Sequence, residues 1–271
     1  MNVAEHLDQT YAEVDGHKLK LDLYLPAGSE GRPLVMYIHG GGWRKGSRKR
    51  CPVKNWALPA DYPVASISYR LSDQALFPAA IHDAKAAVRW LRAHAKEYGY
   101  DGDRIVAAGG SAGAHLALFL GVTNGMEEWE GEVGEHPDTS SDVQAVIDYW
   151  GPSDFPLRAK TNPRRALTTT GGSYIWLGGK DGRIDPEVER RASPVTWVSE
   201  GDPPLLIFQG DADPVVLPVQ SERMAEGYRE AGLDVTLHLI PGGKHGAWQA
   251  SRPPWSDRTV EWLRERLGSK P

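Results

Sequence analysis

Ile105-Val106-Ala107-Ala108-Gly109-Gly110-Ser111-Ala112-Gly113-Ala114-His115-Leu116-Ala117-Leu118-Phe119-Leu120 is the stretch on which the fold turns. The apolar run at 105–108 suits a strand buried on both faces, and 112–120 continues as a helical pattern. Between them lies Gly109-Gly110-Ser111-Ala112-Gly113. A chain passing from strand into helix this abruptly needs residues without bulky side chains on either side of the serine. The turn then holds the hydroxyl above the strand end, at a helix N-terminus. Ser111 is therefore the candidate nucleophile.

Working outward, short apolar runs recur at 34–38, 64–69, 143–150, 205–208 and 235–240, each bounded by Gly, Pro or Asp, and read as buried strands. Leu19, Leu21, Leu23 and Leu25 alternate with Lys20, Asp22 and Tyr24, which predicts a half-buried edge strand. Ile81, Ala84, Val88, Leu91 and Ala95 keep helical spacing across 78–98, opened by Pro78 and closed by Gly99. Further helical patterns cover 218–231 and 257–267. Strands alternating with helices of this length predict an α/β fold, a mostly parallel sheet with helices on both faces. With 271 residues and no internal repeat, a single domain spanning 1–271 is expected. The segment 151–204, rich in Gly, Pro, Thr and Trp, is too long for a simple connection and reads as a small cap-like insertion roofing a site.

A serine hydroxyl needs a base to take its proton and an acid to orient that base. His245 follows the run 235–240, and Asp211 and Asp213 follow 205–208, so the chain order is Ser, acid, His. Asp213 is preferred as the acid: it lies deeper in its loop and precedes Pro214, while Asp211 suits a turn cap; Asp148 and Asp154 are more distant alternatives. The run 34–38 ends in His39-Gly40-Gly41-Gly42-Trp43. Backbone N–H groups of Gly41 and Gly42, with that of Ala112, are the candidate oxyanion hole. His39 reads as a brace for that loop and His115 as a packed residue. Trp43, Trp150, Trp176, Trp248 and Trp255 fall in or beside the same loops, and the first four are candidate substrate contacts.

Composition excludes several classes. Hydrophobic content of 40% and charged content of 25% are those of a globular protein, with neither a disordered chain nor a membrane span. A net charge of -5 gives no pull toward nucleic acid, and the cluster Arg44, Lys45, Arg48, Lys49, Arg50 reads as a solvated loop. No pairing of His, Cys and carboxylates has metal-ligand spacing, so no metal is expected. Cys51 is the sole cysteine, and 1–9 has no basic region leading into an apolar stretch, so no signal peptide is read there. Compartment and oligomeric state are left open.

His39-Gly40-Gly41-Gly42-Trp43, Ser68-Tyr69-Arg70-Leu71-Ser72, Phe77-Pro78-Ala79-Ala80, Gly110-Ser111-Ala112-Gly113, Ala192-Ser193-Pro194, Gly210-Asp211-Ala212-Asp213-Pro214 and His245-Gly246 occur in this order over about 11–267. Together they resemble the carboxylesterases related to hormone-sensitive lipase, nearest the bacterial feruloyl and acetylxylan esterase (BD-FAE) branch. The resemblance implies an α/β-hydrolase fold, a triad of Ser111, Asp213 and His245, and cleavage of carboxylic esters without a cofactor. It also implies small-molecule or oligosaccharide esters as substrates, including acetyl or feruloyl esters of plant polysaccharide. Two positions depart from the pattern: Gln209 stands where relatives often have His, and Ala114 where Gly is common. Competing readings are a prolyl-oligopeptidase-like peptidase or amidase, which would normally carry a large extra domain, and a non-catalytic binding protein on the same scaffold.

Overall fold

The computed structural model describes residues 2–246 and 248–268, except for the side chain of Trp248. Eight strands form one sheet: β1 (Val3–Val14), β2 (His17–Pro26), β3 (Pro33–Ile38), β4 (Val64–Ile67), β5 (Asp101–Gly110), β6 (Ala145–Tyr149), β7 (Leu205–Gly210) and β8 (Val235–Ile240). Their spatial order is β1-β2-β4-β3-β5-β6-β7-β8. The first two strands pair antiparallel with each other, β2 pairs antiparallel with β4, and every later pairing is parallel.

Burial on both faces explains the continuous apolar runs of β3 to β7, but β8, expected to be a buried strand as well, is the far edge of the sheet, only partly buried over 235–238 and exposed at Leu239. Leu34, Met36 and Ile38 of β3 join one hydrophobic cluster, while Val35 and Tyr37 join another on the opposite face. Ile105 and Ala107 divide from Val106 and Ala108 in the same way. The helices are α1 (Lys54–Ala57), α2 (Ala79–Tyr98), α3 (Ala112–Val122), α4 (Phe155–Thr161), α5 (Pro163–Ala166), α6 (Gly172–Trp176), α7 (Pro186–Arg191), α8 (Pro218–Glu230) and α9 (Trp255–Leu267). α3 is buried along its whole length, as its near-continuous run of apolar residues and its lack of Asp, Glu, Lys and Arg require. This is the α/β-hydrolase fold.

The expected edge strand 19–25 lies inside the sheet, covered by β1. Nothing in 3–14 alternates cleanly, because two register shifts, after His6 and after Thr10, break the period, and Asp8 adopts a φ of 59°. Nor is β2 half-buried: Tyr24 and Asp22 are buried too. The reason is the basic loop that follows β3. Arg48 Nε donates to Asp22 Oδ1 at 2.9 Å, Arg48 also pairs with Asp8, and Lys49 lies 3.6 Å from Asp22. A buried carboxylate needs such partners, so Arg48 serves as a counter-ion inside the fold rather than a solvated charge. Segment 151–204 carries the four short helices α4 to α7.

Candidate active site

The carboxyl ends of the parallel strands face one side of the sheet, where a doubly covered sheet places its ligands. Ser111 lies between β5 and α3 at φ 56° and ψ -118°, a strained conformation for a residue with a Cβ. Its N–H donates to the Tyr149 carbonyl on the neighbouring strand at 2.9 Å, which anchors the turn. The flanking glycines are required by contact. A Cβ on Gly109 would lie 2.2 Å from the Gly113 oxygen, and one on Gly113 would lie 2.0 Å from the Ile38 oxygen.

The loops after β7 and β8 bring the other two residues to this serine. His245 Nδ1 is 2.8 Å from Asp213 Oδ2, and His245 Nε2 is 3.0 Å from Ser111 Oγ. A carboxylate only accepts, so Nδ1 carries the proton and donates to Asp213; Nε2 then accepts from the Ser111 hydroxyl. Asp213 is buried, and its Oδ1 accepts from the N–H groups of Val215 at 2.7 Å and Val216 at 3.1 Å. Gln209, the departure noted above, braces the same loop: Nε2 donates to the Val216 and Gly210 carbonyls, and Oε1 accepts from the Ser221 hydroxyl. Asp211 is exposed and accepts from the Gly242 N–H at 2.7 Å, tying the β7 and β8 loops together. Of the remote alternatives, Asp154 caps α4 and Asp148 accepts from the Gly151 N–H at 2.7 Å.

Gly41, Gly42 and Ser111 border one cavity of about 1160 Å³, and Ala112 opens the helix beside it. Among the described residues, the backbone N–H groups of Gly41, Gly42 and Ala112 have no acceptor. His39 is buried and stacked on Tyr69 at 4.5 Å, and the Tyr69 hydroxyl donates to the His39 carbonyl, so this histidine holds the glycine loop. Burial keeps it below the usual histidine range. His115 is fully buried, with Nε2 2.7 Å from the Ala192 carbonyl.

The tryptophans divide. Trp150 lines the cavity with its ring centroid 6.4 Å from that of His245, and Trp43 lines it while 97% of its own surface is covered, being 3% exposed. Trp176 is fully buried and does not line the cavity; it stacks on Trp43 at 4.7 Å and stiffens it from behind. Trp255 packs on Phe208 and His238. The side chain of Trp248 lies outside the described residues. Six basic residues also line the cavity: Arg44, Lys45 and Arg50 from the loop after β3, which the sequence suggests only as solvated charge, and Arg158, Arg164 and Arg165 from α4 and α5, to which it gives no role. Among the described residues, no group of three or more His, Cys, Asp or Glu side chains is placed to hold a metal ion, and no helix is long and apolar enough to cross a membrane.

The BD-FAE family model matches residues 21–228, most of the chain. The chain belongs to the BD-FAE family. Within the curated proteins it is similar to esterase LipC of Mycobacterium tuberculosis, 32% identical over 79% of this chain and 53% of that protein. Among solved structures, a truncated carbohydrate esterase from gut microbiota superposes with a TM-score of 0.89 at 31% identity, covering 98% of this chain and 97% of the other. The propionate-bound esterase Est2 of Thermogutta terrifontis gives a TM-score of 0.78 at 27% identity, covering 97% of this chain and 95% of the other. This BD-FAE member spans about half the length of the curated relatives it matches.

Proposed function

We infer that this protein is a serine carboxylesterase acting through an acyl-enzyme. The observation that carries the reading is the unbroken chain Asp213, His245, Ser111, with its serine end opening on the cavity. In this mechanism His245 Nε2 takes the hydroxyl proton as Ser111 Oγ attacks the ester carbonyl. The carbonyl oxygen, now negative, is held by the N–H groups of Gly41, Gly42 and Ala112, donors already oriented before the reaction. His245 returns the proton to the leaving alcohol, and the acyl group stays on Ser111. Water then repeats the sequence with His245 as base and frees the acid. Asp213 holds the imidazole in the tautomer the first step needs and stabilises the imidazolium.

The names of similar proteins, esterases and a carbohydrate esterase, support carboxylic esters, with acetyl or feruloyl esters of polysaccharide as the finer expectation. The reading also treats 1–271 as one domain in which 151–204 roofs the site; Pro152, Arg158, Thr168 and Gly172 on the cavity wall support that role. Trp150 and Trp43 are the proposed aromatic contacts. The test is turnover of acetyl, propionyl, butyryl and feruloyl esters by the wild type and by Ser111→Ala. The substitution should lower turnover by about a million-fold with an unchanged circular dichroism spectrum. A variant that keeps a tenth of the activity would rule out Ser111 as nucleophile.

A further inference from the structure

Six cationic side chains, Arg44, Lys45, Arg50, Arg158, Arg164 and Arg165, line the cavity that holds Ser111 and His245, and no Asp or Glu lines it among the described residues. This concentration stands out in a chain whose net charge is -5. It comes from two segments more than a hundred residues apart in sequence, joined where the Arg44 guanidinium donates to the Thr170 carbonyl. Arg164 and Arg165 are exposed and form no ion pair among the described residues.

Arg158 supplies the second, independent observation. It is 8% exposed, it lines the same cavity, and no carboxylate pairs with it among the described residues. One of its terminal nitrogens donates to the Val215 carbonyl at 3.2 Å, but its Nε is buried without a partner. Burial, with Arg165 nearby and Asp213 opposing, brings the group down to about 10, so it remains a cation at neutral pH. A buried guanidinium lacking a counter-ion is costly, and the planar fork matches a carboxylate.

Resting on the esterase reading, we propose that the preferred substrate of this cavity is an ester that itself carries a carboxylate. The basic residues take that charge while Ser111 attacks the ester carbonyl. The carboxylate sits either on the alcohol, as in an acetylated uronic acid, or on the acyl group, as in a succinyl monoester. Electrostatic attraction of this kind raises kcat/KM through encounter and orientation, and it weakens with salt.

The experiment compares matched substrates: acetylated methyl glucuronoside against acetylated methyl glucoside, and 4-nitrophenyl hemisuccinate against 4-nitrophenyl acetate. At low salt the charged member of at least one pair should be favoured by about tenfold or more, with the ratio collapsing toward unity near about 0.5 M salt. Whichever pair shows the effect assigns the charge to alcohol or acyl group. Arg164→Gln with Arg165→Gln should lower the ratio by about tenfold, and the two Lys replacements should retain most of it. Equal kcat/KM within both pairs, independent of salt, would overturn the proposal while leaving the esterase reading standing. If no ester is turned over, calorimetric binding of free glucuronate and succinate, each against glucose, decides the matter separately. Binding of either anion that the double Gln variant loses supports the anion site while the esterase reading falls, and failure of both to bind better than glucose overturns the site.

Discussion

At the residue scale, Asp211 and Asp213 stand two positions apart and do different work. The intervening turn sends one carboxylate inward to His245 Nδ1 and the other outward to the Gly242 N–H. Asp213→Asn should therefore lower turnover by about ten-thousand-fold, since an amide in that position favours the wrong imidazole tautomer. Asp211→Asn keeps an oxygen able to accept from Gly242 and should stay within a few-fold of wild type. Steady-state kinetics on a short acyl ester check the pair, and the reverse ranking would move the orienting role to Asp211. The preference for Asp213 was readable because Pro214 and the depth of the loop are local features. The identity of its other partners, Val215 and Val216, was not.

Elements bring in pairings that no single segment encodes. β2 becomes an interior strand only because β1 pairs along it, and the buried Asp22 on β2 is matched by Arg48 from the loop after β3. Burial raises the Asp22 carboxyl, but the Asp8 N–H and the Arg48 guanidinium more than offset this and hold it below its ordinary 3.8. Its ionised form thus stabilises the folded state above the unfolded carboxylate range, and that contribution disappears as pH falls through the folded value. Asp22→Asn should cost about 1.5 to 3 kcal/mol at neutral pH, read from the midpoint of urea unfolding, and the gap should close in acid. A gap that persists unchanged at low pH would show that the pair acts through packing alone. From the sequence, the alternation at 19–25 located the strand but misjudged its neighbours, because a strand's partner is set by backbone pairing with distant chain.

For the whole molecule, two fully buried groups set opposite pH dependences. Burial lowers His115 from 6.5 to about 4, with the Ala192 carbonyl opposing, and burial raises Asp148 from 3.8 to about 8, with the Gly151 N–H opposing. Between 4 and 6.5 the unfolded histidine binds a proton the folded one refuses, so stability rises with pH from this group. Between 3.8 and 8 the folded Asp148 keeps a proton the unfolded one has lost, so stability falls with pH from that group. Their slopes cancel over the shared window and leave a decline from 6.5 to 8. Relative to wild type, His115→Gln should lose a rise in stability between pH 4 and 6.5, and Asp148→Asn should lose a fall between 3.8 and 8. Each slope is about 1.4 kcal/mol per pH unit, and scanning calorimetry across this range tests both. Identical profiles for wild type and variants would remove these groups from the balance.

What the sequence determined by itself was local in origin: the strand, turn and helix around Ser111, the buried strands β3 to β7 as apolar runs, and the placement of Ser111, Asp213 and His245 after β5, β7 and β8. Backbone geometry and the period of burial enforce these within a dozen residues, so they survive in one dimension. Tertiary structure alone decided that Trp176 backs Trp43 away from the cavity, that the basic loop splits between Asp22 and the cavity wall, and that Arg44 meets Arg158 and Arg165 around one serine. Those juxtapositions depend on strand order and on how 151–204 folds back across the strand ends. Long-range packing and charge burial select them, and neither leaves a periodic trace in the chain.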